Sequence, residues 1–170
     1  MADPYRNGTW KSWFDAYGSK LVLYARQWVQ TPADAEDVVQ DGFVRFWKSD
    51  ARKDVDAVAL LYASVRRAGL DHLRKNRRRS AREERSQVGE DTCLPASKTG
   101  LEERERADAV ETALRGLPGD QREVVVLKIW GELTFQQIAT AMEIPANTAA
   151  SRYRYALTAL RKNLNSDVIT

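Results

Sequence analysis

Pro145 constrains this chain more than any other residue, because it separates two apolar patterns of helical period that cannot then belong to one helix. Upstream, Leu133, Ile138, Ala139, Ala141 and Met142 recur at helical spacing behind Thr134, whose hydroxyl suits the free amides of a helix start. A proline drives the residue before it out of the helical region and itself fits the first turn of a new helix. Glu143 and Ile144 therefore form a corner, and a second helix is expected over about 146–163. With about 100° between successive residues, Ala149, Tyr153, Ala156, Leu157 and Leu160 share a stripe that should pack on the first helix, while Asn147, Ser151, Arg154, Tyr155 and Thr158 lie opposite. Between Pro145 and Lys162 there are four basic residues and no acidic one. This is how a helix-turn-helix lays its second helix in the DNA major groove, where Arg and Asn reach base edges and hydroxyls reach phosphates. A helical hairpin with a solvated basic face fits the same segment.

The rest of the chain also reads as helix. Trp10, Trp13, Phe14, Tyr17, Leu21, Tyr24, Ala25 and Trp28 make one stripe over about 10–29, with Gly18 a candidate kink. Thr31 and Pro32 then cap and start a second helix whose core side is Ala35, Val38, Val39, Phe43, Phe46 and Trp47. Its outer side carries Asp34, Glu36, Asp37 and Asp41 with no cation before Arg45. The helix dipole accounts for acids in the first turn, but Gln40 and Asp41 lie beyond its reach, and a partner with basic residues is the second explanation.

After a polar connection, a third helix is expected over about 57–78, its apolar residues being Val58, Leu61, Tyr62, Val65, Leu70 and Leu73. Its end is basic: Arg66 to Arg85 holds nine Lys or Arg against Asp71, Glu83 and Glu84, a balance of 9 − 3 = +6. That density neutralises several phosphates and makes affinity fall with salt; cations that merely suit a helix C-terminus are the plainer account. SQVGEDTCLPASKTG, residues 86–100, breaks the periodicity and reads as a linker. Helix resumes at Leu101, stops at Gly116, and restarts at Gln121 behind Asp120 as cap, with Val124, Val125, Leu127 and Ile129 available for burial as far as Trp130.

The expected fold is all-α: two small helical domains, 1–85 and 101–170, joined by a flexible linker, the second ending in the helix-turn-helix. No run of about 18 apolar residues exists to span a membrane, the N-terminus lacks an export pattern, and the single Cys93 agrees with a reducing cytoplasm. One histidine, His72 beside Asp71, and no glycine-rich phosphate loop leave no metal site, cofactor or nucleophile arrangement, so no catalysis is expected.

PADAEDVVQDGFVRFW, ALLYASVRRAGLDHLRKNRRR and LPGDQREVVVLKIWGELTFQQIATAMEIPANTAASRYRYALTALRK resemble, in order, the two domains of bacterial RNA polymerase sigma factors of the extracytoplasmic-function class. The resemblance covers about 10–79 and 101–164. It implies that Asp37, Gln40 and Asp41 dock on the clamp helices of the polymerase largest subunit, and that the flap of core polymerase is a further contact. It implies that the third helix and its basic end bind and open the minus-ten element through Arg66, Arg67, Asp71, Arg74, Lys75, Arg77 and Arg78. By the same resemblance the last helix reads the minus-thirty-five element with Asn147, Thr148, Ser151, Arg152, Arg154 and Tyr155, and the linker threads toward the RNA exit path. Members are commonly held inactive by an anti-sigma partner. The chain departs from the family at Arg67, where many members have asparagine, and at Leu60, where a tryptophan is common. Glu143 replaces the usual corner glycine, so that turn must avoid a left-handed residue or strain one. Ala150 replaces a frequent basic residue, shifting the expected contacts toward Asn147, Arg152 and Arg154. A stand-alone helix-turn-helix regulator, normally a dimer, is the other function the sequence permits, and an RNA-binding or adaptor protein a third.

Overall fold

In the structure, a computed structural model, residues 8–51, 56–83 and 100–168 are described, with side chains as far as residue 165. The connection expected at 86–100 falls outside them except for Gly100, as do Arg85 and Cys93. Seven α-helices are present among the described residues: α1 (Trp10–Ala25), α2 (Pro32–Lys48), α3 (Ala57–Arg82), α4 (Leu101–Arg115), α5 (Gly119–Ile129), α6 (Phe135–Met142) and α7 (Ala146–Val168). They fall into two compact units, the first made of α1–α3 together with residues 140–143 and the second of the remainder of α4–α7.

In the first unit the helix starts follow from their caps. The Thr9 hydroxyl accepts from the Ser12 amide at 3.3 Å, and the Thr31 hydroxyl from that of Asp34 at 3.1 Å with Pro32 in the first turn behind it. Each bond satisfies an amide that has no partner within its helix. Helix α1 ends at Ala25 rather than near Val29, and continues through Gly18. Beyond Ala25 the chain turns, and Trp28 reaches its place through that turn, edge-on to Tyr24 at 4.8 Å.

The core of this unit is aromatic: Trp13, Tyr24, Phe43, Phe46 and Tyr62 are all within 1% of full burial. Trp13 meets Phe46 at 5.2 Å and Tyr24 meets Tyr62 at 5.5 Å, separations that suit tilted ring pairs. Helix α3 contributes small residues, Ala59, Ala63, Ala68 and Gly69, alongside Leu61, Tyr62 and Val65, whereas Val58, Leu70 and Leu73 are only half-buried. Small residues let α2 and α3 approach closely. A Cβ on Gly42 would stand 2.5 Å from Val65 Cγ2 and 2.7 Å from its Cα. From Arg74 onward every described residue of α3 is exposed.

In the second unit Leu114, Leu117, Val125 and Ala156 form a buried cluster, with Tyr153, Ala159 and Leu160 packed against it. The stripe of α7 thus packs mainly on α4 and α5 and not, as its pattern led us to expect, on α6. Helix α6 has only eight residues, so it covers the beginning of α7 alone, where Phe135 and Tyr153 rings meet at 5.6 Å. Arg122 ties off the end of α4, its guanidinium donating to the carbonyls of Leu114, Arg115 and Leu117 at 3.0 to 3.1 Å. Helix α5 starts at Gly119, one residue before the expected cap. Asp120 therefore sits in its first turn, where a negative charge is favoured.

Candidate nucleic-acid and polymerase interfaces

Helix α6 and the corner that aims α7 are built by local hydrogen bonding. Thr134 and Gln137 cap each other: the Thr134 hydroxyl accepts from the Gln137 amide at 3.1 Å, and the Gln137 side-chain oxygen accepts from the Thr134 amide at 2.9 Å. This is a capping box. At the other end Ile144 N–H donates to the Ala139 carbonyl at 3.0 Å, while Glu143 takes φ 56°. The bond closes the helix end in the manner usually served by glycine. The corner thus strains a left-handed residue instead of avoiding one, as Asp50 and Glu132 also do. Helix α7 starts immediately behind Pro145 and runs five residues beyond the expected end.

On α7 the expected contact residues divide. Asn147, Arg154 and Tyr155 are exposed, Tyr155 to 67%, and Thr148 and Ser151 are half-buried beside them. Arg154 lies near Ser151, its guanidinium 3.4 Å from the hydroxyl. Arg152 points elsewhere: its Nε lies 3.2 Å from the carboxylate of Asp120 on α5, with 29% of the side chain exposed. That pairing belongs to tertiary structure, and no helical period reveals it. The outward set is therefore Asn147, Ser151, Arg154 and Tyr155, with Thr148 at its edge.

In the first unit, Arg67, Arg74, Lys75, Arg77 and Arg78 are exposed and Arg66 is half-buried. They give α3 a run of cations suited to phosphate. Asp71 differs from the residues around it. It accepts from Arg45 of α2 at 2.8 Å and from Arg74 at 3.1 Å, so it ties two helices together. The hydrogen bond from Arg45 holds its carboxyl below the ordinary range, with help from Arg74 and Lys75, while desolvation opposes the shift. His72, adjacent in sequence, makes no hydrogen bond to it, and His72 Nε2 is buried without a partner.

The acidic face of α2 is present as a surface. Asp37, Gln40 and Asp41 are exposed, and Asp41 pairs with Arg45 at 2.9 Å. Among the described residues no group of three or more His, Cys, Asp and Glu is placed to hold a metal ion, and no helix is long and apolar enough to cross a membrane.

Comparison with known proteins matches these two units separately. Residues 13–79 fit the family described as Sigma-70 region 2, and residues 107–160 fit Sigma-70, region 4. The extracytoplasmic-function (ECF) RNA polymerase sigma factor SigJ of Mycobacterium tuberculosis is 33% identical over 168 residues, covering 91% of this chain; the chain spans only 52% of that relative's length. SigL of the same species is 29% identical over 164 residues, 92% of this chain and 89% of that protein. In fold, the chain is similar to the sigma factor RpoE of Bartonella quintana, crystallised with the anti-sigma factor NepR, at a TM-score of 0.71 and 22% identity over 92% of this chain and 97% of that one. With region 2 on the aromatic three-helix unit and region 4 on the unit that ends in the helix-turn-helix, the chain belongs to the sigma-70 family of RNA polymerase sigma factors, in its ECF class.

Proposed function

We propose that this chain directs core RNA polymerase to a selected set of promoters and assists strand opening there, acting in the bacterial cytoplasm and catalysing nothing itself. The observation that carries this reading is the presence of regions 2 and 4 in chain order, with an exposed acidic face on α2 and exposed cations on α3 and α7. Residues 1–85 serve core binding and the minus-ten element, 86–100 connect, and 101–170 serve the minus-thirty-five element. Asp37, Gln40 and Asp41 dock on the clamp helices, and the second domain meets the flap. Arg66, Arg67, Arg74, Lys75, Arg77 and Arg78 engage the minus-ten region, with Asp71 holding Arg74 in place. Asn147, Thr148, Ser151, Arg154 and Tyr155 face the upstream element, and Arg152 supports them from behind. An anti-sigma factor that covers these surfaces is the expected regulator.

The physical logic is divided labour. One recognition helix with few base-reading side chains binds weakly and discriminates little. Two such readers tethered to one polymerase act at high effective concentration, so both elements must be present at the right spacing. Opening needs no hydrolysis by this chain, because contacts to unstacked bases offset the cost of melting. Run-off transcription with purified core polymerase on fragments of the source genome tests the proposal. Promoter-dependent transcripts that require the chain are expected, and their absence removes the sigma reading in favour of a stand-alone regulator. The charge reversals Asp37→Arg and Asp41→Arg together should abolish most core binding while leaving the helical circular dichroism spectrum intact.

A further inference from the structure

Arg45 lies between the surfaces assigned above. It stands one turn beyond Asp41 on α2 yet reaches α3, holding Asp41 at 2.9 Å and Asp71 at 2.8 Å through different guanidinium nitrogens. Asp71 in turn holds Arg74 at 3.1 Å. Four charges thus run from the polymerase-facing acids to the promoter-facing cations, along a groove lined by Asp37, Asp41, Arg45, Asp71, His72 and Lys75. Each link is partly exposed and, taken singly, worth little. The sharing matters more. One guanidinium serves two carboxylates, and one carboxylate serves two guanidinium groups.

A cation arriving from outside at Asp41 must compete with Arg45. Arg45 can yield Asp41 without being left unpaired, because Asp71 retains it. Where Asp71 is absent, Arg45 has only Asp41 to hold. Resting on the reading of Asp37, Gln40 and Asp41 as the docking face, we propose that Arg45 is a positioning residue that sets how much of the Asp41 charge the polymerase meets, with Asp71 the anchor that draws it away. Docking at Asp41 strengthens the bond from Arg45 to Asp71, loosens Arg74, and makes that cation available to a DNA phosphate. The linkage is reciprocal, so a phosphate at Arg74 favours core binding. It fades at high ionic strength, as interactions between exposed charges do.

The test is a fluorescence titration of the labelled full chain with core polymerase at low and high salt. Arg45→Gln uncovers Asp41 and should tighten core binding about two- to fivefold at low salt, the span expected of exposed pairs. Asp71→Asn leaves Arg45 wholly on Asp41 and should weaken core binding by a similar factor, but should have no further effect in an Arg45→Gln background. Damage to the fold lowers affinity in both single variants, so opposite signs are the signature of the linkage. Arg45→Lys, which keeps a cation, should bind more weakly than Arg45→Gln. If both single variants lower the affinity, or neither changes it, the proposal is overturned. Asp41→Asn, measured alongside, separates the two ideas. A loss of core binding in Asp41→Asn with no change in Arg45→Gln and Asp71→Asn leaves the docking face standing and removes the linkage. An unchanged Asp41→Asn removes the docking face, and the linkage with it.

Discussion

Arg152 and Arg154 stand two positions apart on α7 with different surroundings, one paired to Asp120 and the other open toward solvent. If Arg152 braces the helix and Arg154 meets DNA, their substitutions differ in kind. Arg154→Ala should cost roughly 1 to 3 kcal/mol of promoter binding, with altered promoter choice or a salt dependence shallower by about one ion. Arg152→Gln should leave the salt dependence unchanged, and Asp120→Asn should reproduce its effect, with little added in the double variant. Footprinting of the holoenzyme across a salt series measures all four. Glu143 offers a second single-residue test, because it holds φ 56° in a helix end that glycine accepts without strain. Glu143→Gly should raise thermal stability by about 0.5 to 1 kcal/mol, and Glu143→Val should lower it by about 1 to 2 kcal/mol. The sequence located this corner from Pro145, but it left open which way the backbone would turn. The pairing of Arg152 with Asp120 was not legible there, because the partner comes from another helix.

Helices proved readable from periodicity and caps, as Thr31 and Thr134 show, since both signals are local. Where two helices touch is a different matter, and Gly42 is the example. Nothing in the pattern of α2 separates it from a weak helix position, yet the space opposite is filled by the Val65 backbone. Gly42→Ala should therefore destabilise the first unit by about 1 to 3 kcal/mol, read as a lower melting temperature. The tie between Arg45 and Asp71 joins the same two helices and carries a pH signature. The carboxyl of Asp71 is held below its ordinary value when folded, so the stability it contributes is complete above the unfolded value of about 3.9 and disappears as pH falls through the folded one. Thermal unfolding of Asp71→Asn should accordingly fall less steeply in acid than that of the parent chain. The stripe of α7 shows the limit of reading one helix at a time. Tyr153 does meet Phe135 of α6, but Ala156 and Leu160 join the cluster of Leu114, Leu117 and Val125, farther along than the eight-residue α6 covers.

For the chain as a whole, two modest DNA contacts tethered to one polymerase should combine by simple addition. Arg154→Ala and a paired Arg77→Ala, Arg78→Ala change lie on different units and share no partner. Their costs in promoter affinity should sum to within about 0.5 kcal/mol when the holoenzyme is titrated on one promoter. The division rests on charge distribution, since the acids early in α2 and the cations late in α3 sit on separate stretches despite a net charge of only +3, whereas α4 mixes both signs. The length of α3 has a further consequence. Its 26 residues extend about 39 Å at 1.5 Å per residue. Packing covers the first half, while the last turns combine full exposure with a surplus of like charge. A helix end so placed gains little from packing and loses something to self-repulsion. If that end engages promoter DNA as proposed, the polyanion supplies part of its order: amide hydrogen exchange along α3 should quicken steadily from Gly69 toward Arg82 in the free chain, and that gradient should flatten when promoter DNA is bound.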